Sequence, residues 1–335
     1  MPDNNRAFIP GGEFDFINAP STPLGFGGIE RRVDVRDFEL GSYQPPATIP
    51  QVYKPDVSDI PVYMQGMYPT CGAHAGAFKA TLMRKYKTAV TTSLSPKYLW
   101  DEIKQIDGFP LQDGTDMTSI FKSIAKTGDC QISLLPNDLR FSLESYSSIS
   151  NVTPEMVQDA SLNLIKNYAF TNNPTMEQIK ESIYLNKAVV ALVDIGDGWW
   201  LPDYAHVLPL RLGNKVGHHF IVLWGYDMNY IYFRNSWSQA WGNKGDGYFD
   251  QSYVPHILEI GAAIFLSNQF IFTKDLQYGD AGNDVLNLQR RLNIIPDTGF
   301  FGKITKAAVI KYQLANGLPG TGYCGVLTRT KLNLS

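Results

Sequence analysis

The sequence predicts an α+β protein with a small helical domain at its C-terminal end. Helical patterns precede strand-length apolar runs in the central region, and the residues from 275 onwards differ in composition and contain an internal repeat. At about 150 residues per domain, a chain of 335 residues is expected to form roughly two domains.

Composition narrows the functional class. Hydrophobic residues make up 44% and charged residues 18% of the chain, which is enough apolar material for a packed core and too little charge for a disordered chain. The formal net charge of −3 gives no basic field for nucleic acid. No apolar run reaches the roughly 18 residues of a membrane span. We therefore expect neither a nucleic-acid partner nor a membrane-spanning segment.

Three regions follow one another along the chain. Residues 1–55 are rich in Pro, Gly and Asn and predict an extended arm or prosegment without helical period. Residues 56–272 predict the main domain, with helices over Ala73–Lys87 and Thr175–Asn186. Apolar runs at 188–195 and 219–226, followed by 229–237, predict three strands.

Residues 275–335 predict a separate helical domain. The segment Thr298–Thr305 recurs as Thr321–Thr328, offset by 23 residues, and each copy is a Gly-aromatic-x-Gly turn that leads to a threonine. Such a threonine caps a helix or lies in its first turn. Upstream, Val285, Leu288 and Leu292 are spaced as on one helical face.

Chemistry is predicted at Cys71, which begins the first predicted helix. A helix N-terminus stabilises a thiolate and lowers its pKa, although a lone cysteine is more often a small core residue. Three further polar residues favour a catalytic role for Cys71 over a role as a core residue. Gln65 lies six residues before Cys71, and His219 and Asn235 follow far downstream.

The ordered set of Gln65, Cys71, His219 and Asn235 resembles the papain-like cysteine peptidases. The motifs around it match in spacing: His219 opens a strand that ends in Gly-Tyr, and Asn-Ser-Trp, Trp-Gly and Gly-Tyr follow. The resemblance covers about residues 56–270 and implies two lobes, one mainly helical with Cys71 and one sheet-rich with His219 and Asn235.

The resemblance also implies roles. Cys71 would attack as a thiolate, His219 would give its proton to the leaving amine, and Asn235 would orient His219. Gln65 would donate its amide to the oxyanion. We assign substrate binding to Gly114, Trp237, Trp241 and His218. Trp237 would also cover the bond between His219 and Asn235.

Two other histidines compete for the catalytic position. His74 lies three residues after Cys71 on the same helix, where we expect it to pack against the core. His218 is adjacent to His219, but counting back from Gly225-Tyr226 gives His219, so His218 is expected beside the cleft.

The chain departs from the family pattern near the nucleophile. Tyr68 stands where the family has a cysteine, Pro69 replaces a glycine, and Gly72 replaces a tryptophan. Because the bridging partner position is Tyr68, we expect Cys130 to be a free thiol. Family prosegments are longer and helical and run through the cleft in reverse, whereas residues 1–55 predict an extended arm that lies on the enzyme over the cleft.

The C-terminal region, from Gly279 to Gly322, resembles a peptidoglycan-binding domain with a three-helix core. Its sequence places Gln289 directly after Leu288 and Gln313 directly after Tyr312, and it repeats the Gly-aromatic-x-Gly turn. Domains of this kind are non-catalytic wall anchors. We therefore expect peptidoglycan as a partner of residues 275–335.

The sequence thus predicts a thiol endopeptidase that hydrolyses polypeptide substrates and is targeted to the cell wall. The alternatives are a hydrolase of peptidoglycan peptides and a latent or inactive papain-fold binding protein. No metal-ligand spacing is visible, and we expect no cofactor. The expected location is extracellular or at the cell wall, in a bacterium or on a phage particle, although no signal peptide is visible in MPDNNRAFIPGGEF.

Overall fold

The chain forms two compact units that divide after Ile264. A computed structural model describes residues 25–31, 49–88, 91–140, 142–147, 152–165, 167–201, 207–263, 272–292, 294 and 297–334. Much of the predicted arm over residues 1–55 lies outside these ranges, and the following description concerns the described residues.

Helices dominate the first half of the larger unit, where the central helix is α1 (Cys71–Thr88). The predicted helix over Ala73–Lys87 is therefore confirmed, with two further residues at its start. The other helices of this unit are α2 (Pro96–Lys104), α3 (Met117–Lys126), α4 (Leu143–Tyr146), α5 (Pro154–Ser161) and α6 (Met176–Asn186). Thr175 caps α6 by accepting a hydrogen bond from the Gln178 backbone N–H.

Helix α1 lies against the rest of the unit through small residues. Ala73 and Ala77 are fully buried. A Cβ on Gly72 would lie 2.6 Å from a Thr115 methyl group and 3.3 Å from the Phe220 ring. Glycine at this position therefore lets the first turn of α1, which carries Cys71, approach the sheet closely.

The sheet lobe is a six-stranded antiparallel sheet in the order β3-β8-β4-β5-β6-β7. Its strands are β3 (Tyr168–Asn172), β4 (Val189–Gly196), β5 (Lys215–Tyr226), β6 (Ile231–Arg234), β7 (Asp246–Phe249) and β8 (Ile257–Ala263). All residues of β4 are buried, as expected for an apolar strand with neighbours on both sides.

The three predicted strands are present with changed limits. The run at 188–195 forms β4, and the run at 219–226 forms the apolar end of β5. Strand β5 begins earlier than predicted, at Lys215, because Lys215 pairs with Gly196 of β4. The third strand, β6, ends at Arg234, so Asn235 lies just beyond the sheet ladder.

A short parallel ladder joins the N-terminal segment to this unit. Strand β1 (Gly28–Ile29) pairs with β2 (Thr115–Asp116), with Gly28 opposite Thr115. Further along, the backbones of Tyr53 and Tyr226 exchange two hydrogen bonds. The described parts of the predicted arm are thus extended and lie on the enzyme unit.

The smaller unit contains the helices α7 (Asn283–Arg291), α8 (Lys303–Ala315) and α9 (Val326–Leu334). Its core includes Phe272 together with Leu276, Leu288 and Val309. Phe272, where we expect the peptidase domain to end, packs its buried ring in this C-terminal core.

The internal repeat of this unit is a duplicated hydrogen-bond network. The Gln289 side chain donates to the Phe300 carbonyl over 2.9 Å and to Thr305 over 2.8 Å. The Gln313 side chain donates to the Tyr323 carbonyl and to Thr328. The repeated threonines thus lie in the first turns of α8 and α9, where they accept from a buried glutamine. Among the helices of the described residues, none is long and apolar enough to cross a membrane.

Candidate active site

His219 and Asn235 meet at the edge of the sheet lobe. The His219 ring nitrogen Nε2 lies 2.9 Å from the Asn235 side-chain oxygen, and because an amide oxygen only accepts, Nε2–H is the donor. The same oxygen accepts a hydrogen bond from the Ser236 backbone N–H, while the backbone N–H of Asn235 donates to the Gly245 carbonyl. Asn235 is therefore fixed on both sides, and it fixes the tautomer of His219.

Indole rings cover this pair. The Trp237 ring lies 5.0 Å from the His219 ring at a tilt of 34°, and Trp199 meets His219 edge-on at 5.8 Å. Trp241 supports them, since its Nε1–H donates to the Trp199 carbonyl. Trp237 and Trp241 are both buried, so their contact with a substrate stays a prediction, while Trp237 does cover the His219–Asn235 bond.

Trp199 is a site residue that the sequence reasoning missed. It lies in a 3-10 turn, Asp197–Trp200, and its Nε1–H donates to the Tyr253 hydroxyl over 2.9 Å. The paired tryptophans at positions 199 and 200 are the signal that could have indicated an aromatic wall at the site.

Cys71 begins α1, whose first turn packs against the strand that carries His219, since a Cβ on Gly72 would lie 3.3 Å from the Phe220 ring. The Cys71 sulfur accepts a hydrogen bond from the Gly27 backbone N–H at 3.3 Å. Among the described residues, no group bonds to His219 Nδ1, so this nitrogen is available to exchange a proton with a nucleophile. The structure therefore joins His219 to Asn235 directly and places the helix start that carries Cys71 against the strand of His219.

Burial determines the charge state of this pair. Burial raises the pKa of the Cys71 thiol to about 11, against the backbone hydrogen bonds that lower it. Burial likewise lowers the pKa of His219 to about 4, although the bond to Asn235 opposes the shift. The expected lowering of the Cys71 pKa is thus absent in this state, because loss of water outweighs the helix N-terminus. Both shifts favour the neutral forms of the thiol and the imidazole.

Gln65 points its amide group into the same region. Its Oε1 accepts from the Ser236 hydroxyl, which orients the amide so that Nε2 donates to the Gly25 carbonyl at 2.6 Å and to the Tyr68 carbonyl at 2.9 Å. The Gln65 side-chain N–H, which we expect to donate to the oxyanion of a substrate, therefore donates to a carbonyl oxygen of the N-terminal segment.

Gly114 lines the groove in which that segment lies. Its backbone φ is +85°, and a Cβ there would lie 1.9 Å from the Gly27 carbonyl oxygen, so a side chain would exclude the segment. The neighbouring Thr115 N–H donates to that same oxygen over 3.0 Å. Gly114 thus contacts an extended backbone, here the chain's own.

The two alternative histidines lie elsewhere. His74 bonds to the Thr70 carbonyl and the Asn137 amide, and burial lowers its pKa to about 4, as for a core residue. His218 points to the opposite face of β5 from His219, since side chains alternate along a strand. It lies 3.4 Å from Asp194 and 3.7 Å from Glu30 of the N-terminal segment, and its contact with a substrate stays a prediction.

The departures from the family pattern have local explanations. Cys71, Cys130 and Cys324 are all free, so the free thiol expected at Cys130 is confirmed. Cys130 packs near Tyr98. Tyr68 instead packs its ring 5.2 Å from that of Tyr146, which replaces a covalent link by aromatic packing.

The groove between a helical and a sheet lobe, with a cysteine at a helix start beside a histidine and an asparagine, defines the class of cysteine peptidases. Residues 61–255 match the family model of the papain family cysteine protease, and the chain belongs to that family. Residues 281–332 match the family model of a peptidoglycan binding domain.

Several solved structures share the fold of this chain. Xylellain, a cysteine protease from Xylella fastidiosa, shares 21% identity, with a TM-score of 0.59 over 71% of this chain and 95% of that one. Procathepsin B S9 from Trypanosoma congolense gives 15% identity and a TM-score of 0.56 over 74% and 87% of the two chains. The proform of Amb a 11, a ragweed pollen cysteine protease, gives 17% and 0.54 over 66% and 67%. Among curated protein sequences, none matches this chain.

Within the described ranges, no group of three His, Cys, Asp or Glu side chains is placed to hold a metal ion.

Proposed function

We propose that the protein hydrolyses peptide bonds through Cys71, His219 and Asn235. The Cys71 sulfur attacks the scissile carbonyl carbon, and His219 gives a proton to the leaving amine, which leaves a thioester on Cys71. Water, deprotonated by His219, then attacks the thioester and releases the acid and the thiol. Gln65 and the Cys71 backbone N–H donate to the oxyanion in both steps.

The bond from His219 to Asn235 is the observation that carries this proposal. It fixes Nε2 as the protonated nitrogen, which leaves Nδ1 for the thiol proton. The covering Trp237 keeps water from competing for that bond, so His219 stays oriented through the reaction.

We propose further that residues 25–31 keep the enzyme latent. They occupy the oxyanion donor of Gln65, the sulfur of Cys71 and the strip at Gly114 at once. The atom that bonds to the sulfur is a peptide nitrogen, which donates and offers no carbonyl carbon for attack. Release of this segment re-admits water, which favours the thiolate and imidazolium forms.

The C-terminal domain favours a second candidate, hydrolysis of wall peptides. The match of residues 281–332 to a peptidoglycan binding domain supports peptidoglycan as a ligand and the cell wall as the place of action. The same thiol would then cut either proteins near the wall or the peptides of the wall itself.

Cleavage assays in a chain with an opened groove test the reaction. Arg31→Ala removes the buried ion pair with Glu259 that holds residues 25–31, and this chain is compared with the same chain that also carries Cys71→Ala. Casein and purified sacculi are incubated with each protein, and new free amino groups are counted. Release by the Arg31→Ala chain and its loss when Cys71→Ala is added support hydrolysis at Cys71, and the substrate that is cut separates the two candidates. Equal release by both proteins contradicts the proposal.

A further inference from the structure

A buried lysine holds the loop that leads to the strip at Gly114. Lys104 is the last residue of α2, and a lysine ammonium group carries three N–H donors. The Lys104 ammonium contacts the Asp107 carboxylate at 2.9 Å, the Pro110 carbonyl at 3.2 Å and the Gly114 carbonyl. The Lys104 side chain is 6% exposed, and that of Asp107 is fully buried. One cation therefore joins three points of the same loop.

No covalent link fixes this loop, since residues 105–116 contain no cysteine. Lys104 also lies over the Trp100 ring, 4.6 Å from its centroid. Burial lowers the pKa of Lys104, and the hydrogen bond to Asp107 opposes that shift. A carboxylate, two carbonyls and an aromatic face together compensate a buried ammonium. Lys104 thus provides a fixed point against which the strip is held.

The contact with Gly114 fixes the direction of a hydrogen-bond donor in the groove. Gly114 and Thr115 share one peptide unit, and in a planar trans unit the C=O and the N–H point in opposite directions. The carbonyl points to Lys104, and the Thr115 N–H points into the groove, where it donates to the Gly27 carbonyl over 3.0 Å. A glycine turns readily to other backbone conformations, so the bond to Lys104 is what selects this orientation.

We propose that Lys104 is a positioning residue for backbone recognition. It holds the Gly114–Thr115 peptide unit so that the Thr115 N–H donates to an extended chain in the groove. In the latent chain the acceptor is the Gly27 carbonyl, and in a substrate it is a backbone carbonyl. The substrate half of this inference rests on the proposed peptidase function, and the latent half does not.

Hydrogen exchange in the full chain tests the latent half without any catalysis. Asp107→Asn is the reference, so that no buried carboxylate is left unpaired when Lys104→Met is added. We expect Lys104→Met to make the Thr115 amide exchange about 3- to 10-fold faster, as for the loss of one hydrogen bond, while the amides of α1 keep their rates. An unchanged rate at Thr115 overturns the inference.

Lys97→Met, in the same Asp107→Asn chain, is the matched control. Lys97 lies on α2 about 10 Å along the helix axis from Lys104, and it too pairs with a carboxylate, that of Asp101. We expect this change to leave the Thr115 amide as it is. Equal acceleration in both lysine variants would show a general loosening and would also overturn the inference. Lys104→Gln, a shorter and uncharged side chain, replaces Lys104→Met if that variant does not fold.

A ratio of two rates tests the substrate half. A quenched fluorogenic peptide spans a casein bond that the Arg31→Ala chain cuts, and in its analogues one amide at a time, never the cleaved one, is replaced by an ester. The peptides are compared on the Arg31→Ala/Asp107→Asn chain with and without Lys104→Met. An ester carbonyl is a weaker acceptor than an amide carbonyl, and the kcat/KM ratio of two peptides does not depend on how many molecules have an open groove.

We expect an ester at one position to lower kcat/KM by about 3- to 10-fold when Lys104 is present, and most of that loss to vanish in Lys104→Met, which is the coupling of a double-mutant cycle. The same loss in both chains overturns the substrate half. If no peptide is cleaved by any chain, the proposed reaction fails, while the exchange rate of the Thr115 amide still decides whether Lys104 positions the strip.

Discussion

The backbone N–H of Gly27 donates a hydrogen bond to the sulfur of Cys71 over 3.3 Å. The two residues are 44 positions apart, and the bond places an extended stretch of the chain directly on its own nucleophile. Burial raises the pKa of the Cys71 thiol and lowers the pKa of His219. The described structure is therefore that of a covered site.

Opening the groove should change the pH dependence of thiol alkylation. With the Cys71 pKa at about 11, the thiolate fraction of the covered chain rises with pH throughout the neutral range, about tenfold per pH unit. We expect Arg31→Ala, which removes a buried anchor of the segment, to raise the rate of Cys71 alkylation at pH 7 and to flatten this dependence.

Arg211→Ala is the matched control, since Arg211 pairs with Asp250 at the surface, where ion pairs contribute little. It should leave the alkylation rate and its pH dependence unchanged. Identical profiles for wild type and Arg31→Ala would show that residues 25–31 do not govern access to the thiol.

Replacing Asn235 should lower the rate of peptide hydrolysis without unfolding the protein. Asn235→Ala, made in the Arg31→Ala chain, removes the acceptor for His219 Nε2, so the imidazole loses its preferred tautomer. We expect kcat to fall by up to about 10⁴-fold, as for other residues that fix the tautomer of a catalytic histidine, with little change in KM. Asn235→Asp keeps an acceptor and should recover part of the loss. Steady-state kinetics measure both, and an unchanged kcat in Asn235→Ala argues against a positioning role.

Gln65→Glu should reduce transition-state stabilisation. The change keeps the size of the side chain but replaces the donating amide by an acceptor, and loss of one oxyanion donor typically costs about 100- to 1,000-fold in kcat. Gln105→Glu, the same change at an exposed position, serves as the control. A comparable fall in both variants would indicate a general effect of charge and not a role for the Gln65 amide.

Gln313→Ala should destabilise the C-terminal unit alone. Its buried amide donates to Tyr323 and Thr328 and accepts from the Gly322 N–H, so its loss leaves buried polar groups unpaired, at about 2 kcal/mol of unfolding free energy. Hydrogen exchange of Lys303–Ala315 should become faster, while that of α1 should not. Gln277→Ala, at an exposed position of the same unit, should change neither.

Much of the fold is readable from the sequence because local patterns determine it. The α1 pattern and the apolar runs of β4 and β5 depend on spacing within a few residues, and the predictions for them hold. Motif spacing, which reflects turns and strand ends, predicts Gln65, Cys71, His219 and Asn235 as site residues, and of these His219 and Asn235 are hydrogen-bonded to each other. The domain boundary near Phe272 could not be predicted from the sequence, because only packing shows to which hydrophobic core a single ring belongs.

The sequence predicts an arm over the cleft but not which of its residues contact the site. Gly25, Gly27 and Gly28 look like a loop, and nothing local indicates that their lack of side chains allows contact with Tyr68, Pro69 and Leu192. Glu259 did leave a signal, since it is a lone charge within the apolar run Ile257–Ala263. A buried charge of this kind predicts a partner, but the partner, Arg31, lies 228 residues away.

The most direct test of the central claim is the mass of the intact protein after treatment with an epoxide inhibitor of thiol proteases, with the adduct located by peptide mapping. We expect one adduct on Cys71 in the Arg31→Ala chain, formed faster than in the wild type, with the buried thiols of Cys130 and Cys324 unmodified as internal controls. An adduct on Cys130 or Cys324 in its place, or no adduct on Cys71 in either folded chain, would contradict the assignment of Cys71 as the nucleophile.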